Sequence, residues 1–308
     1  MDVSVIIVNY NTQQLTQQCL DSIFAKTSEL EFEVILVDNG STDGSRELFS
    51  TDERITYIYS EENLGFGKAN NLGAQNAQGK YLFFLNSDTY LVNNAIYLLW
   101  MQMEEASQDM SSGMVACAGC MLTDEDGQVI HSYAKFPTMC ESFRKDILHP
   151  ILWKLRVIPQ IHTTSNYAVN EAEESYFDVD YVTGADLMVR KEVADHVGLF
   201  DPDFFMYFEE TEMQHRYMKA GFRRIICHTP QIVHLEGKSG GKSSPEKSTI
   251  VLKSEMLYYK KTSSSSVYYV FSFFFKMAYV MAYILSFPFI NGSIGSKMHH
   301  LREVIKDS

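Results

Sequence analysis

Lys80-Tyr81-Leu82-Phe83-Phe84-Leu85-Asn86-Ser87-Asp88-Thr89 is the stretch whose reading decides the fold. From Tyr81 to Leu85 the side chains are apolar or aromatic, as in a strand buried on both faces. The run stops abruptly at Asn86 and Asp88, side chains able to hold a metal or a sugar. Ligands of an open parallel sheet collect beyond the carboxyl ends of its strands, so Asp88 is the first candidate site residue.

Two earlier runs end the same way. Val3-Ser4-Val5-Ile6-Ile7-Val8 stops at Asn9-Tyr10-Asn11-Thr12, and Val34-Ile35-Leu36-Val37 stops at Asp38-Asn39-Gly40-Ser41. Between them Leu15, Cys19, Leu20, Ile23 and Phe24 recur at helical spacing behind a cap at Asn11 or Thr12. Ile55 to Tyr59 reads as a weaker strand, and the loop Glu61 to Gly67 leads into a helix through Lys68, Asn70 and Leu72. This alternation predicts βαβ crossovers and an α/β fold with a mostly parallel sheet. Right-handed crossovers set Asn9, Asp38 and Asp88 along one edge of it.

Beyond a helix predicted at about 93–105 the texture changes. Met114 to Leu122 reads as a strand, and Asp124-Glu125-Asp126-Gly127 as a hairpin turn leading to Val129-Ile130. Residues 136–176, with Pro137, Pro150, Pro159 and the cations Arg144, Lys145, Lys154 and Arg156, read as an insertion or lid. Order returns from Phe177 to Asp186, followed by Leu187 to Arg190 and a short helix, with short strands at Ile225-Ile226-Cys227 and Gln231 to His234. The expected division is a nucleotide-sugar half at 1–113, an acceptor-binding and catalytic half at 114–240, and a loop with a helical tail at 241–308.

Composition narrows the function. A 45% hydrophobic, 21% charged chain of 308 residues is globular, and its net charge of −13 excludes general nucleic-acid binding. Five scattered cysteines include a lone CxxC, Cys117 and Cys120, in an apolar strand pattern. They read as core thiols of a reducing cytosol, without a zinc site. The amino terminus opens directly on a strand pattern, which predicts no signal peptide.

Each candidate has a plain alternative. Asp38 begins strong turn chemistry, although a strand-end carboxylate also accepts hydrogen bonds from a base or ribose. Gly65-Phe66-Gly67 has two glycines of a dinucleotide fingerprint but Asn70 at the third position. Glu236 to Ser243 nearly spells a P-loop, with Glu236 in place of its first glycine. Glu209, Glu210 and Glu212 follow an aromatic run, where apolar surroundings raise a carboxyl pKa and favour a general base. Equally, they form the acidic first turn of a helix. His234 ends an apolar strand, where a structural histidine is the common case.

Taken together, Val5 to Asn11, Val37 to Gly44, Asn63 to Asn71 and Leu85 to Asp88 resemble the family 2 glycosyltransferases, most closely the rhamnosyltransferase-like branch. The resemblance continues through Thr183-Gly184-Ala185, Phe204 to Glu212 and His234. It implies a type A glycosyltransferase fold and inverting transfer from a nucleotide-diphosphate sugar to a saccharide acceptor, lipid-linked, in cell-surface polysaccharide synthesis. It implies donor contacts at Asn9, Asn11, Asp38, Gly65, Lys68, Asn70, Asn86, Ser87 and Gly184. A divalent cation, Mg²⁺ or Mn²⁺, would be held by Asp88 and His234. Glu210 matches the catalytic-base position, with Glu209 as its rival. A metal-dependent nucleotidyltransferase and a catalytically silent sugar-nucleotide-binding subunit are the alternatives.

The tail adds a location. Val267 to Ile290 carries one charge, Lys276, and as a helix would extend roughly 36 Å. Its tyrosines, Ser272 and flanking cations allow a helix that lies on a membrane, spans it, or packs in a homodimer. The expected location is the cytoplasmic side, at the inner face of the cell membrane.

Overall fold

The computed structural model describes residues 1–108, 113–148, 175–235 and 245–286. Four parallel strands form its first half: β1 (Val3–Asn9), β2 (Phe32–Asn39), β3 (Thr56–Ser60) and β4 (Tyr81–Asn86). Helices α1 (Gln13–Lys26), α2 (Ser45–Phe49) and α3 (Phe66–Ala74) make the crossovers. There follow β5 (Thr89–Leu91), α4 (Ala95–Ala106), β6 (Val115–Cys120), β7 (Tyr133–Ala134) and α5 (Met139–Ser142), which runs into a π-helical turn, Phe143–Leu148. Then come β8 (Tyr176–Asp178), β9 (Tyr181–Val182), β10 (Asp186–Arg190), α6 (Lys191–Val197) and α7 (Glu209–Lys219). The last described elements are β11 (Arg223–Cys227), β12 (Ile232–His234), α8 (Pro245–Thr262) and α9 (Ser265–Ser286).

The main sheet runs β3-β2-β1-β4-β10-β6-β11-β8, with β10 and β8 antiparallel to the rest. β4 lies in its centre because five consecutive apolar residues can be buried only where both faces are covered. Tyr81, Phe83 and Leu85 enter one layer with Cys19, Leu20, Leu99 and Met103, while Leu82 and Phe84 enter the other with Phe200, Met213 and Tyr217. Truncating Phe84, fully buried, to alanine would cost about 3–5 kcal/mol. Register sets the strand ends level: Asn9 pairs with Asp38, and Val8 with Asn86.

The described residues of 1–135, 165–205 and 209–242 form one unit, and those of 136–164, 206–208 and 243–308 a second. β10 and β6, from beyond residue 113, continue the sheet at the β4 end of the first four strands. The ordered stretch from Phe177 to Asp186 forms most of β8, then β9 and the start of β10. The Asp124–Gly127 turn forms, but beyond it only a single bridge, Thr123 to Val129, replaces the expected hairpin strand. Lys154, Arg156 and the near-P-loop at 236–243 lie outside the described residues. All five cysteines are free thiols, and Cys117 and Cys120 are core residues as expected.

Candidate active site

The site is built on the carboxyl edge of β1, β2 and β4, where the chain must stop being a strand. At the end of β1, Asn9 is fully buried and its amide is spent on the scaffold. Its Nδ2 donates to Ser41 Oγ at 3.0 Å, and its Oδ1 accepts from Thr12 Oγ1 at 2.8 Å and Thr16 Oγ1 at 2.9 Å. Thr12 Oγ1 in turn meets Ser87 Oγ at 3.0 Å. Asn9 and Ser87 thus belong to a buried hydroxyl network that pins the β1 and β4 ends together. Asn11 has a positive φ of 55°, which asparagine tolerates, and its Oδ1 accepts from the Thr42 backbone at 2.7 Å. Thr12 is the residue preceding α1 but makes no side-chain cap; Asp43 reaches across to accept from Gln13 N at 2.9 Å.

Asp38 is fully buried. Its Oδ1 accepts from Ser41 N at 3.1 Å and its Oδ2 from the Tyr57 hydroxyl at 2.7 Å. Burial and the Asp38 carboxylate push the Tyr57 phenol above its ordinary range, so Tyr57 stays a proton donor and fixes the carboxylate. Sequence reading missed Tyr57 because only the β2–β3 register brings Leu36 and Asp38 alongside Tyr57 and Tyr59.

Gly65 has φ +83°, and a Cβ there would lie 2.1 Å from the Phe205 carbonyl oxygen. Only glycine fits, and the same carbonyl accepts from Phe66 N at 2.9 Å. Lys68 is exposed, whereas Asn70 is buried and its Nδ2 donates to Phe66 O at 3.1 Å, inside α3.

Asp88 and His234 converge. β12 pairs antiparallel with β5, His234 opposite Thr89, and Leu235 N donates to Asp88 O at 2.9 Å. This brings His234 Nε2 to 3.3 Å from Asp88 Oδ1. A hard carboxylate and an imidazole at that separation suit neighbouring positions around one divalent cation. Among the described residues no group of three or more His, Cys, Asp or Glu is placed to hold a metal ion.

β10 carries the other half. Asn86 N donates to Ala185 O at 2.9 Å, and a Cβ on the neighbouring Gly184 would lie 3.8 Å from Glu210 Cγ. Glu210 is thereby held near the end of β4, half-buried, with its carboxyl pushed above the ordinary range by desolvation. Glu209 turns inward instead: it is 3% exposed, and a Cβ on Gly67 would lie 3.5 Å from Glu209 Cβ. Glu212 pairs with Arg216 at 3.0 Å, and Arg216 also donates to the carbonyls of Val197 and Gly198. The acidic turn therefore divides into a half-buried Glu210 beside Gly184 and two acids built into the unit.

Asp186 is a further acid that the motifs did not single out. It is fully buried, accepts from Cys120 N at 2.6 Å, and has its carboxyl raised to about 7 by burial, against the pull of Cys120 and His234.

Residues 4–155 match the model for glycosyl transferase family 2. The chain is 26% identical over 250 residues, 77% of each protein, to the N-acetylglucosaminyl-diphospho-decaprenol L-rhamnosyltransferase of Mycobacterium tuberculosis. Among solved structures it resembles GalNAc-T7 with UDP, GalNAc and Mn²⁺ at a TM-score of 0.58 and 17% identity, over 84% of this chain and about half (48%) of that one. It also resembles a mannosyltransferase of Pyrobaculum calidifontis in complex with GDP-Man and Mn²⁺, at a TM-score of 0.54 and 15% identity, over 96% of this chain and 77% of that one. These likenesses establish the type A glycosyltransferase fold.

Proposed function

We propose, for a glycosyltransferase that carries a family 2 domain, that it moves a deoxyhexose such as rhamnose from a nucleotide-diphosphate donor to a hydroxyl of a lipid-linked saccharide. Rhamnose and the lipid carrier are supported by the name of the mycobacterial relative. The product would belong to a cell-surface polysaccharide, and the work would be done at the inner face of the cell membrane.

The observation that carries the reading is the path Asn86–Ala185–Gly184–Glu210, which draws an acid of raised pKa to the strand end beside Asp88. The Glu210 carboxylate takes the acceptor hydroxyl proton as that oxygen bonds to the anomeric carbon. The bond from that carbon to the diphosphate oxygen breaks, its electron pair leaves with the nucleoside diphosphate, and a single displacement inverts the centre. Asp38, oriented by Tyr57 and Ser41 N, accepts from the nucleoside. Asp88 and His234 would hold a divalent cation, whose positive charge offsets the negative charge gathering on the departing diphosphate. Asn11, Lys68 and Asn86 remain as donor-side contacts.

The test is transfer by the full chain from dTDP-rhamnose, UDP and GDP sugars with Mn²⁺ to a lipid-diphosphate saccharide, read by the anomeric configuration of the product. Retention would refute the displacement. Donor binding without transfer or hydrolysis would turn the reading to a silent binding subunit.

A further inference from the structure

We propose that α9 docks the protein on an anionic lipid surface through one outward face. Val267, Val270, Phe273, Phe274, Met277 and Met281 are each 47–64% exposed. At about 100° per residue, these side chains and Tyr269 fill an arc of roughly 160° on one side of the helix. The opposite side is occupied within the same unit: Tyr268, Ser272 and Phe275 are buried, and the Phe271 ring stands 5.4 Å from that of Tyr259 on α8. α9 is thus amphipathic in an inverted sense, one side packed and the other apolar yet facing water.

Charge names the occupant. The ranges of this second unit hold twelve Lys and Arg against six Asp and Glu, a balance of +6, while the remaining ranges hold fourteen against thirty-three, a balance of −19. An anionic surface would repel most of this protein and attract this unit. No Asp or Glu occurs in residues 256–286, whereas Lys260, Lys261 and Lys276 do. A two-fold copy docked through α9 would bring no acid from this stretch to Lys276 at the margin of the face, while acidic phospholipid headgroups complement it. No described helix is long and apolar enough to cross a membrane, so α9 lies in the interface plane, with Tyr269 and Lys276 at the margin of its face.

This docking stands without the transfer reaction but suits a lipid-borne acceptor. Met206–Phe208, immediately before Glu209 and Glu210, belongs to the same unit as α9. Ser254 Oγ donates to Met206 O at 2.7 Å, and the Phe208 ring lies 5.7 Å from that of Tyr258.

Flotation of the full chain with vesicles tests the proposal. Phosphatidylglycerol-containing vesicles should carry the protein up, and phosphatidylcholine alone or high salt should weaken binding. Phe273→Asp with Phe274→Asp should lower the partition coefficient by about tenfold or more. Lys260→Glu with Lys276→Glu should lower it on anionic vesicles only. Both pairs should keep the wild-type Tm and the transfer rate to a water-soluble acceptor. Wild-type protein that stays at the bottom of the gradient would overturn the proposal, as would variants that float equally well. A dimer by light scattering, made monomeric by the aspartates without any vesicle binding, would reassign the face to a second copy. A large Tm loss in the aspartate pair would mean that the chain itself covers the face.

Discussion

The Asp88 carboxylate and the His234 imidazole, far apart in the sequence, meet at 3.3 Å because β5 and β12 pair with Thr89 opposite His234. If they share a cation, each should lose the same property. In titrations of the full chain, Mn²⁺ with nucleoside diphosphate should raise the Tm of wild type. Asp88→Ala and His234→Ala should each abolish that shift and reduce transfer by about a hundredfold or more. A retained Mn²⁺-dependent shift in Asp88→Ala would remove the metal from this pair.

Glu210 carries the second prediction. Desolvation raises its carboxyl, so the base becomes competent only as pH climbs past a point above the ordinary carboxylate range of about 4.3. The acid limb of kcat/KM should lie above that range and vanish in Glu210→Gln, whose turnover falls by about two to four orders of magnitude. Glu209→Gln, a change at a 3% exposed side chain, should lower Tm and leave the limb in place. An intact limb in Glu210→Gln would move the proton transfer elsewhere.

How much of this was legible in advance follows from which residues speak locally. The runs ending at Asn9, Asp38 and Asn86 announced the sheet and its functional edge, because a doubly buried parallel strand needs an unbroken apolar run. The acid at 88 was legible for the same reason. That Asn9 and Ser87 join the Thr12 network was not legible, since a motif shows which residues matter and not which way they point. Tyr57 and Asp186 were silent because their roles depend on the register of β3 against β2 and of β10 against β6, which no local pattern encodes. The grouping of Met206–Phe208 with the carboxyl-terminal helices rests on tertiary packing that no spacing encodes.

Asp186 offers a test through stability. Its folded pKa, about 7, lies above the unfolded 3.8, so the native state holds the proton more tightly. The stabilisation is complete below about pH 4 and is lost as pH rises through about 7. Asp186→Asn removes this titration. In metal-free buffer the Tm difference, variant minus wild type, should therefore grow in the variant's favour across that window. Parallel Tm curves would mean that Asp186 does not titrate there.

Tyr57 should govern donor affinity without touching the chemistry. Its hydroxyl donates to Asp38 Oδ2 at 2.7 Å, and Tyr57→Phe frees that oxygen to swing away from the direction in which Ser41 N holds its partner. Losing one hydrogen bond to a carboxylate costs about 1.5–3 kcal/mol, so the donor KM should rise by about tenfold or more with kcat nearly unchanged. A fall in kcat at constant KM would place Asp38 in the reacting geometry instead.

Gly65 is the position where the fold leaves least room. With φ at +83° and the Phe205 oxygen 2.1 Å from any added Cβ, Gly65→Ala must either strain the backbone or push the 204–205 segment away. That displacement breaks the hydrogen bond from Phe66 N to Phe205 O at the start of α3. The combined loss should be about 2–4 kcal/mol, read as a lower urea midpoint at unchanged m-value. Because Glu209 and Glu210 follow Phe205 closely in sequence, kcat should fall as well, by more than the folded fraction accounts for. A variant with wild-type stability and rate would show that the glycine is not required by this contact.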